Sequence, residues 1–374
     1  MLGVLDSYII YLCRSKADMM SIHIQKITDS RLSQVDFSDL PFGKICSDHM
    51  FVMDYADGVW HPGKIIPLEN FSIHPANLTL HYGQSIFEGM KASVSHDGTP
   101  LLFRLDKHLE RINASAVRMC MPELPEDIFY EAIERLVDID RGWIPPQAGS
   151  ALYVRPYMFA ADEFIGVRPS ETYKFVIFTC PVGPYYTKPV SLIAEDKYVR
   201  AVVGGVGEAK TAGNYAASLY AAKRAKERGY DQVMWMDPIE FKYIQEVGTM
   251  NIFFVMDGKA YTPNLSGTIL KGITRDSLIT IMKGQGIEVV EAPLSKEQVI
   301  EAHGAGLLQE VFGSGTAAVV SYVNKIAFGD HVIDLDVDNY KVAPSLKSYI
   351  EELRAGKKED KYGWIQPVRS LATA

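Results

Sequence analysis

The chain has little of what marks a metalloprotein, a secreted protein or a membrane protein. Only four cysteines occur in 374 residues: Cys13, Cys46, Cys120 and Cys180. Their spacings match no zinc or redox pattern, so reduced thiols in a cytoplasmic protein are expected. None of the nine histidines forms an H-x-x-x-H pair, and no metal is expected. No apolar run approaches the ~18 residues of a membrane-spanning helix. Lys and Arg number 38 against 46 Asp and Glu, a formal net charge of −8. With no basic stripe, this balance argues against nucleic acid as a partner. Internal repeats and low-complexity tracts are also missing.

What is present suits a soluble globular protein: 47% hydrophobic and 22% charged residues. The length allows two domains with real cores. Residues 8–12, YIIYL, are apolar, but Asp6 precedes them and no basic region leads them, a poor secretory signal. Residues 1–20 are expected to be a disordered extension or a start assigned too far upstream.

Apolar alternation predicts strands over 49–55, 152–159 and 173–180, and helices over 103–119 and 126–137. Three prolines and a glycine fall in 180–189, which predicts an interdomain loop at 181–189. It would divide a domain at 21–180 from one at 190–374. In the second part, strands are expected at 191–194, 232–236 and 241–245, and helices at 214–228 and 272–283. Asp257-Gly258 predicts a hairpin between 251–256 and 259–262. Ser295-x-x-Gln298 is a capping-box start for a helix. An apolar strand over 307–312 is expected to run into a Gly-Ser-Gly-Thr turn.

The segment 204–215, GGVGEAKTAGNY, places Lys210 in a run of small residues between a predicted strand and a predicted helix. Glycines allow close approach of a flat ligand, and a desolvated lysine amine forms Schiff bases. Three readings are open here: a phosphate cradle, a cofactor imine and a surface loop. The phosphate-loop pattern G-x-x-x-x-G-K-S/T lacks its second glycine, replaced by Ala209, and Glu208 is unsuited to an anion site. Asp237, at the end of an apolar strand, would be the magnesium aspartate of that reading.

A second segment, 245–251 (QEVGTMN), decides between them. Together with 87–92 (FEGMKA), 153–156 (YVRP) and 310–317 (EVFGSGTA), the two segments resemble, in order and spacing, the class IV pyridoxal-phosphate aminotransferases. Within that class they resemble the branched-chain amino acid aminotransferases. The resemblance runs from about residue 42 to near the C-terminus. It implies a mixed α+β and α/β fold of two domains, the pyridoxal-phosphate fold type IV shared with D-amino acid aminotransferase. The N-terminal α+β domain would be the smaller and the C-terminal, cofactor-binding domain the larger.

The implied activity is ping-pong transamination of leucine, isoleucine and valine with 2-oxoglutarate, giving branched-chain 2-oxo acids and L-glutamate. The implied cofactor is pyridoxal 5'-phosphate. Lys210 matches the Schiff-base lysine that also moves the proton. Glu246 matches the carboxylate beside the pyridine nitrogen, and Tyr215 the tyrosine beside the phenolic oxygen. Arg111, the helix start Gly272, Ile273 and Thr274, and the hydroxyl of Thr316 match the phosphate cup. Thr249 and Ala317 match groups meeting the substrate carboxylate. Phe42, Tyr82, Phe87, Tyr153, Arg155 and Tyr185 match the side-chain pocket, with Tyr82 entering from the partner of a homodimer. Ala318 and Ser321 stand where mammalian members carry a Cys-x-x-Cys pair, so that thiol switch has no counterpart here. The alternatives are a D-amino acid aminotransferase or class IV lyase on the same fold, and, from another class, the phosphate-loop nucleotide-binding protein.

Overall fold

The computed structural model describes residues 22–185 and 188–370. Residues 1–20 lie outside this range, as do two residues of the expected 181–189 loop. Two sheets and, among the described residues, seven α-helices build a mixed α/β fold. The first sheet runs in the order His23–Ile24, Lys64–Pro67, His49–Ala56, Tyr173–Val182, Ala151–Ala160, Met90–Val94, Pro100–Phe103 and Ile365–Pro367, with Ser85–Phe87 also on Ala151–Ala160. The second runs Ile244–Val247, Gln232–Met236, Val190–Ala194, Val319–Phe328, Leu308–Gly315, Asn251–Met256, Lys259–Thr262 and Val289–Glu291.

The central strands of the first sheet are buried over most of their length, which is why they read as apolar runs. The helix Glu126–Ile139 covers one face. Its Phe129, Ala132, Ile133, Leu136 and Val137 recur at helical spacing and are fully buried. The Phe129 ring packs 6.3 Å from that of Phe175, itself 6.0 Å from Phe51. In the second half the expected hairpin forms. Asp257 and Gly258 both take positive φ, 49° and 74°, as a two-residue primed turn requires. Ser295 and Gln298 form both bonds of the capping box.

Three elements differ from the sequence reading. The expected helix over 103–119 is shorter, Leu105–Arg118. Phe103 pairs with Ile365 in the first sheet, and Arg104 breaks the path at φ 53°. The strand expected at 241–245 begins only at Ile244. The Asp237 carboxylate accepts the N–H groups of Ile239, Glu240, Lys242 and Tyr243 and folds 237–243 into a loop. Both Asp237 oxygens serve the backbone, which removes it as a magnesium ligand. Gly313 to Gly315 belong to the strand Leu308–Gly315, and the turn lies beyond them.

The two sheets meet along one seam. Phe87 donates its N–H to the Lys210 carbonyl at 3.0 Å, and Ile86 bridges Thr211. The last strand, Ile365–Pro367, returns from the second half to pair with Pro100–Phe103.

Candidate active site

A cavity of about 600 Å³ opens at this seam, lined from both sheets. Lys210 is one of its lining residues. Ser115 Oγ accepts the Lys210 N–H at 2.9 Å. Thr211, the N-cap of the helix Ala212–Glu227, donates its hydroxyl to Ser85 O at 2.8 Å. The backbone on both sides of the lysine is thereby fixed, and its side chain enters the cavity. Nζ donates to the Tyr215 hydroxyl at 2.6 Å and lies 4.6 Å from the centre of the Phe87 ring. Tyr215 sits in the first turns of the helix that follows, so a helix start directly after the lysine brings the hydroxyl to the amine.

Glu246 also lines the cavity, from the strand Ile244–Val247. Its Oε2 is 2.7 Å from Arg200 Nε. Its Oε1 accepts from Asn251 Nδ2 at 3.0 Å and from the Leu270 N–H at 3.1 Å. Burial nevertheless pushes the carboxyl up from its ordinary range, against Arg200, the Leu270 N–H and Lys210. Arg200 alone does not fully compensate the anion, so a further positive partner in the cavity would be stabilised.

The start of the helix Ile273–Gly284 lines the same cavity. Gly272 is its N-cap, and no side chain caps it. A Cβ on Gly272 would fall 1.9 Å from Asn251 Oδ1, so only glycine fits. Ile273 and Thr274 line the cavity at this helix start, where N–H groups and the helix dipole favour an anion. Arg111, on the buried face of Leu105–Arg118, joins them. Its Nη1 donates to Lys271 O at 3.0 Å. Thr316 and Ala317 come from the turn after Leu308–Gly315, and Thr249 from the turn before Asn251–Met256.

The remaining wall is aromatic. Phe42 packs edge-on to Tyr153 at 5.1 Å and to Tyr185 at 4.9 Å. Arg155 Nη2 donates to the Tyr153 hydroxyl at 2.9 Å, and its guanidinium lies over Phe87 at 4.7 Å. A Cβ on Gly89 would fall 1.9 Å from that same hydroxyl, so Gly89 makes room for Tyr153.

All but one of the residues singled out from the sequence line this cavity: Lys210, Arg111, Tyr215, Glu246, Gly272, Ile273, Thr274, Thr316, Phe42, Phe87, Tyr153, Arg155, Tyr185, Thr249 and Ala317. Tyr82 does not. It closes the short helix Leu78–Tyr82 and is 40% exposed. The glycines before the lysine, Gly204, Gly205 and Gly207, are also absent from the lining. Gly207 is small because Ala201 Cβ and Thr268 O would meet its Cβ at 2.6 and 2.8 Å. Gly204 has open space beside it and instead takes a positive φ of 79°. Gly313, like Gly207, yields to a neighbour, Met250, whose Cε would lie 2.8 Å from an added Cβ. Sequence reasoning missed Arg200 and Asn251, the two side chains that hold Glu246. Asn251 stands in one of the matching blocks, but Arg200 lies in a loop with no pattern around it.

The residues fit pyridoxal phosphate. A lysine amine and a buried carboxylate share one cavity, and an uncapped helix start beside an arginine would take a phosphate. Lys210 would hold the aldehyde carbon, Glu246 the ring nitrogen, and Arg111 with the Ile273–Thr274 amides the phosphate.

Residues 85–326 match the family model for amino-transferase class IV. Branched-chain-amino-acid aminotransferase 2 of Bacillus subtilis is 45% identical over 351 residues, covering 92% of this chain and 97% of that protein. Branched-chain-amino-acid transaminase 1 of the same organism is 47% identical, covering 89% and 95%. Among solved structures, the branched-chain amino acid aminotransferase of Escherichia coli superposes with a TM-score of 0.72 at 29% identity, covering 86% of this chain and 99% of that one. The branched-chain aminotransferase of the thermophilic archaeon Thermoproteus uzoniensis, solved with norvaline, gives 0.71 at 26% identity, with coverage of 86% and 100%. The chain therefore belongs to the class IV aminotransferases, in the branched-chain amino acid aminotransferase family.

Proposed function

We propose that the chain transfers the amino group of leucine, isoleucine and valine to 2-oxoglutarate, with pyridoxal 5'-phosphate held in the seam cavity. The bound cofactor supplies the electron sink that stabilises charge on the substrate α-carbon. The observation that carries this reading is Lys210 and the buried Glu246 lining one cavity.

The chain's own groups then divide the work. The Lys210 amine takes the proton from the substrate α-carbon and returns it on the other side of the reaction, within reach of the Tyr215 hydroxyl that orients it. Glu246, held by Arg200, Asn251 and the Leu270 N–H, in its charged form favours a protonated ring nitrogen beside it, and that cation in turn favours the carboxylate. Arg111, Ile273, Thr274 and Thr316 hold the phosphate. Thr249 and Ala317 receive the substrate carboxylate. The aromatic wall of Phe42, Phe87, Tyr153 and Tyr185 rewards apolar side chains by ~0.8 kcal/mol per buried methylene. Arg155, already bonded to the Tyr153 hydroxyl, turns towards the second carboxylate of glutamate.

We infer further that the chain is a cytoplasmic homodimer. Tyr82, exposed and off its own cavity, would complete the partner's site.

An amino-donor panel with 2-oxoglutarate tests this reading. Leucine, isoleucine and valine are expected to lead, with the purified protein absorbing in the visible. Lys210→Ala is expected to lose that absorbance and nearly all turnover. A panel led by D-amino acids, or a Lys210→Ala variant with normal turnover, overturns it.

A further inference from the structure

Two buried titratable groups beside the cavity have no part in the reaction above. Glu88 is completely buried, and His108 is 2% exposed. The Glu88 carboxylate meets Arg111 on two atoms: Oε1 is 2.6 Å from Nε, and Oε2 is 2.8 Å from Nη2. Oε2 also accepts from His108 Nδ1 at 2.7 Å and from the Gly89 N–H at 3.2 Å. The Glu88 N–H is itself tied to Pro156 O at 2.7 Å. Every degree of freedom of this carboxylate is therefore fixed by the first sheet and the helix Leu105–Arg118.

We propose that Glu88 is a positioning residue for the phosphate site, setting the guanidinium of Arg111 so that its unspent N–H bonds face the cavity. The proposal deepens the pyridoxal-phosphate reading and rests on it. A guanidinium has five N–H bonds in a rigid plane. Glu88 takes two and Lys271 O takes a third. The two that remain belong to the Nη1 and Nη2 end, and Arg111 lines the cavity. Without Glu88 only the Lys271 carbonyl still holds the plane, and the two unspent donors are no longer fixed towards one point.

Charge alone argues the opposite way. Glu88 is an anion in direct contact with the phosphate's own cation, so it weakens the field that draws a phosphate. Its removal would leave the site more positive. The sign of the effect therefore separates positioning from electrostatics. His108 stays neutral in this arrangement. Burial holds it below its ordinary range against the pull of Glu88, and the carboxylate can only accept, so Nδ1 carries the proton.

The test is cofactor affinity of the apoprotein, measured by titration with pyridoxal phosphate and, separately, with phosphate-free pyridoxal. Glu88→Gln is expected to weaken pyridoxal phosphate by about tenfold or more, while pyridoxal binds as it does to the unaltered chain. Unchanged or tighter pyridoxal phosphate overturns the proposal, and so does an equal loss for both ligands, which a general structural role would give. Should Glu88→Gln fail to fold, the neutralised pair Arg111→Met with Glu88→Gln is compared with Arg111→Met alone. If Glu88 acts through Arg111, the second substitution adds no further loss of affinity; a full additional loss overturns the proposal. An unaltered chain that binds no pyridoxal phosphate would instead overturn the cofactor reading itself.

Discussion

Burial raises the pKa of the Glu246 carboxyl against three donors that favour its charged form. One is a guanidinium, one an amide side chain and one a backbone N–H. A glutamine in its place keeps the shape and most of the packing but loses the anion that favours a protonated ring nitrogen. Glu246→Gln is therefore expected to retain the cofactor and to slow turnover by roughly 10²-fold or more, read as kcat at saturating pyridoxal phosphate; an unaffected rate would return Glu246 to a structural role. A second residue pair was invisible in the sequence. Cys46 and Cys180 are 134 positions apart, yet their sulfurs lie 3.3 Å from each other. The Cys180 thiol holds the Cys46 pKa down to about 7, with help from Arg31 against burial, while that of Cys180 itself is pushed up. A disulfide needs the sulfurs at about 2.0 Å, a small further approach. Treatment with diamide is expected to remove one hydrogen from each, seen as an intramolecular link between their two peptides; Cys46→Ser should abolish it.

Elements set by local chemistry were legible, and those set by tertiary pairing were not. The capping box at Ser295 and the Asp257-Gly258 hairpin depend only on neighbours in sequence, and both formed. The strand at Ile244 was misplaced because one carboxylate, Asp237, gathered four N–H groups that a strand would have used elsewhere. The helix after Phe103 was drawn too long because its first residue is claimed by a strand from the far end of the chain. Ser295→Ala removes the acceptor of an N–H at the start of Lys296–Gly304 and is expected to cost about 1 kcal/mol, seen as a lower urea midpoint with unchanged slope. Gly272→Ala acts at another helix start with a different outcome. The new methyl meets Asn251 Oδ1, whose amide holds Glu246. Both cofactor affinity and turnover are expected to fall, since one clash moves the helix start and the acid together. A variant losing only thermal stability would show that the helix start yields without Asn251.

At the scale of the whole molecule, the site exists because two sheets share a seam. The motif blocks named the residues on each side, but nothing local said how the seam closes. Part of the answer is Lys91, which no sequence pattern separates from its block. It lies in the strand Met90–Val94 of the first sheet, 5% exposed, and Nζ donates to Ala317 O at 2.8 Å, behind the turn expected to meet the substrate carboxylate. Burial lowers the pKa of this amine to about 7, with Arg354 and Lys347 adding to the effect and Glu351 opposing it. An unfolded lysine titrates near ~10.4. Between those two values the unfolded chain holds a proton that the folded chain has released, so stability attributable to Lys91 rises with pH across the window. Lys91→Met removes this dependence. Denaturant unfolding of the two proteins from about pH 7 to about pH 10 is therefore expected to show their difference moving in favour of the unaltered chain by on the order of 3 kcal/mol. A difference that stays flat would mean that Lys91 keeps its proton in the seam, and that the carbonyl of Ala317 is held by a full ammonium charge.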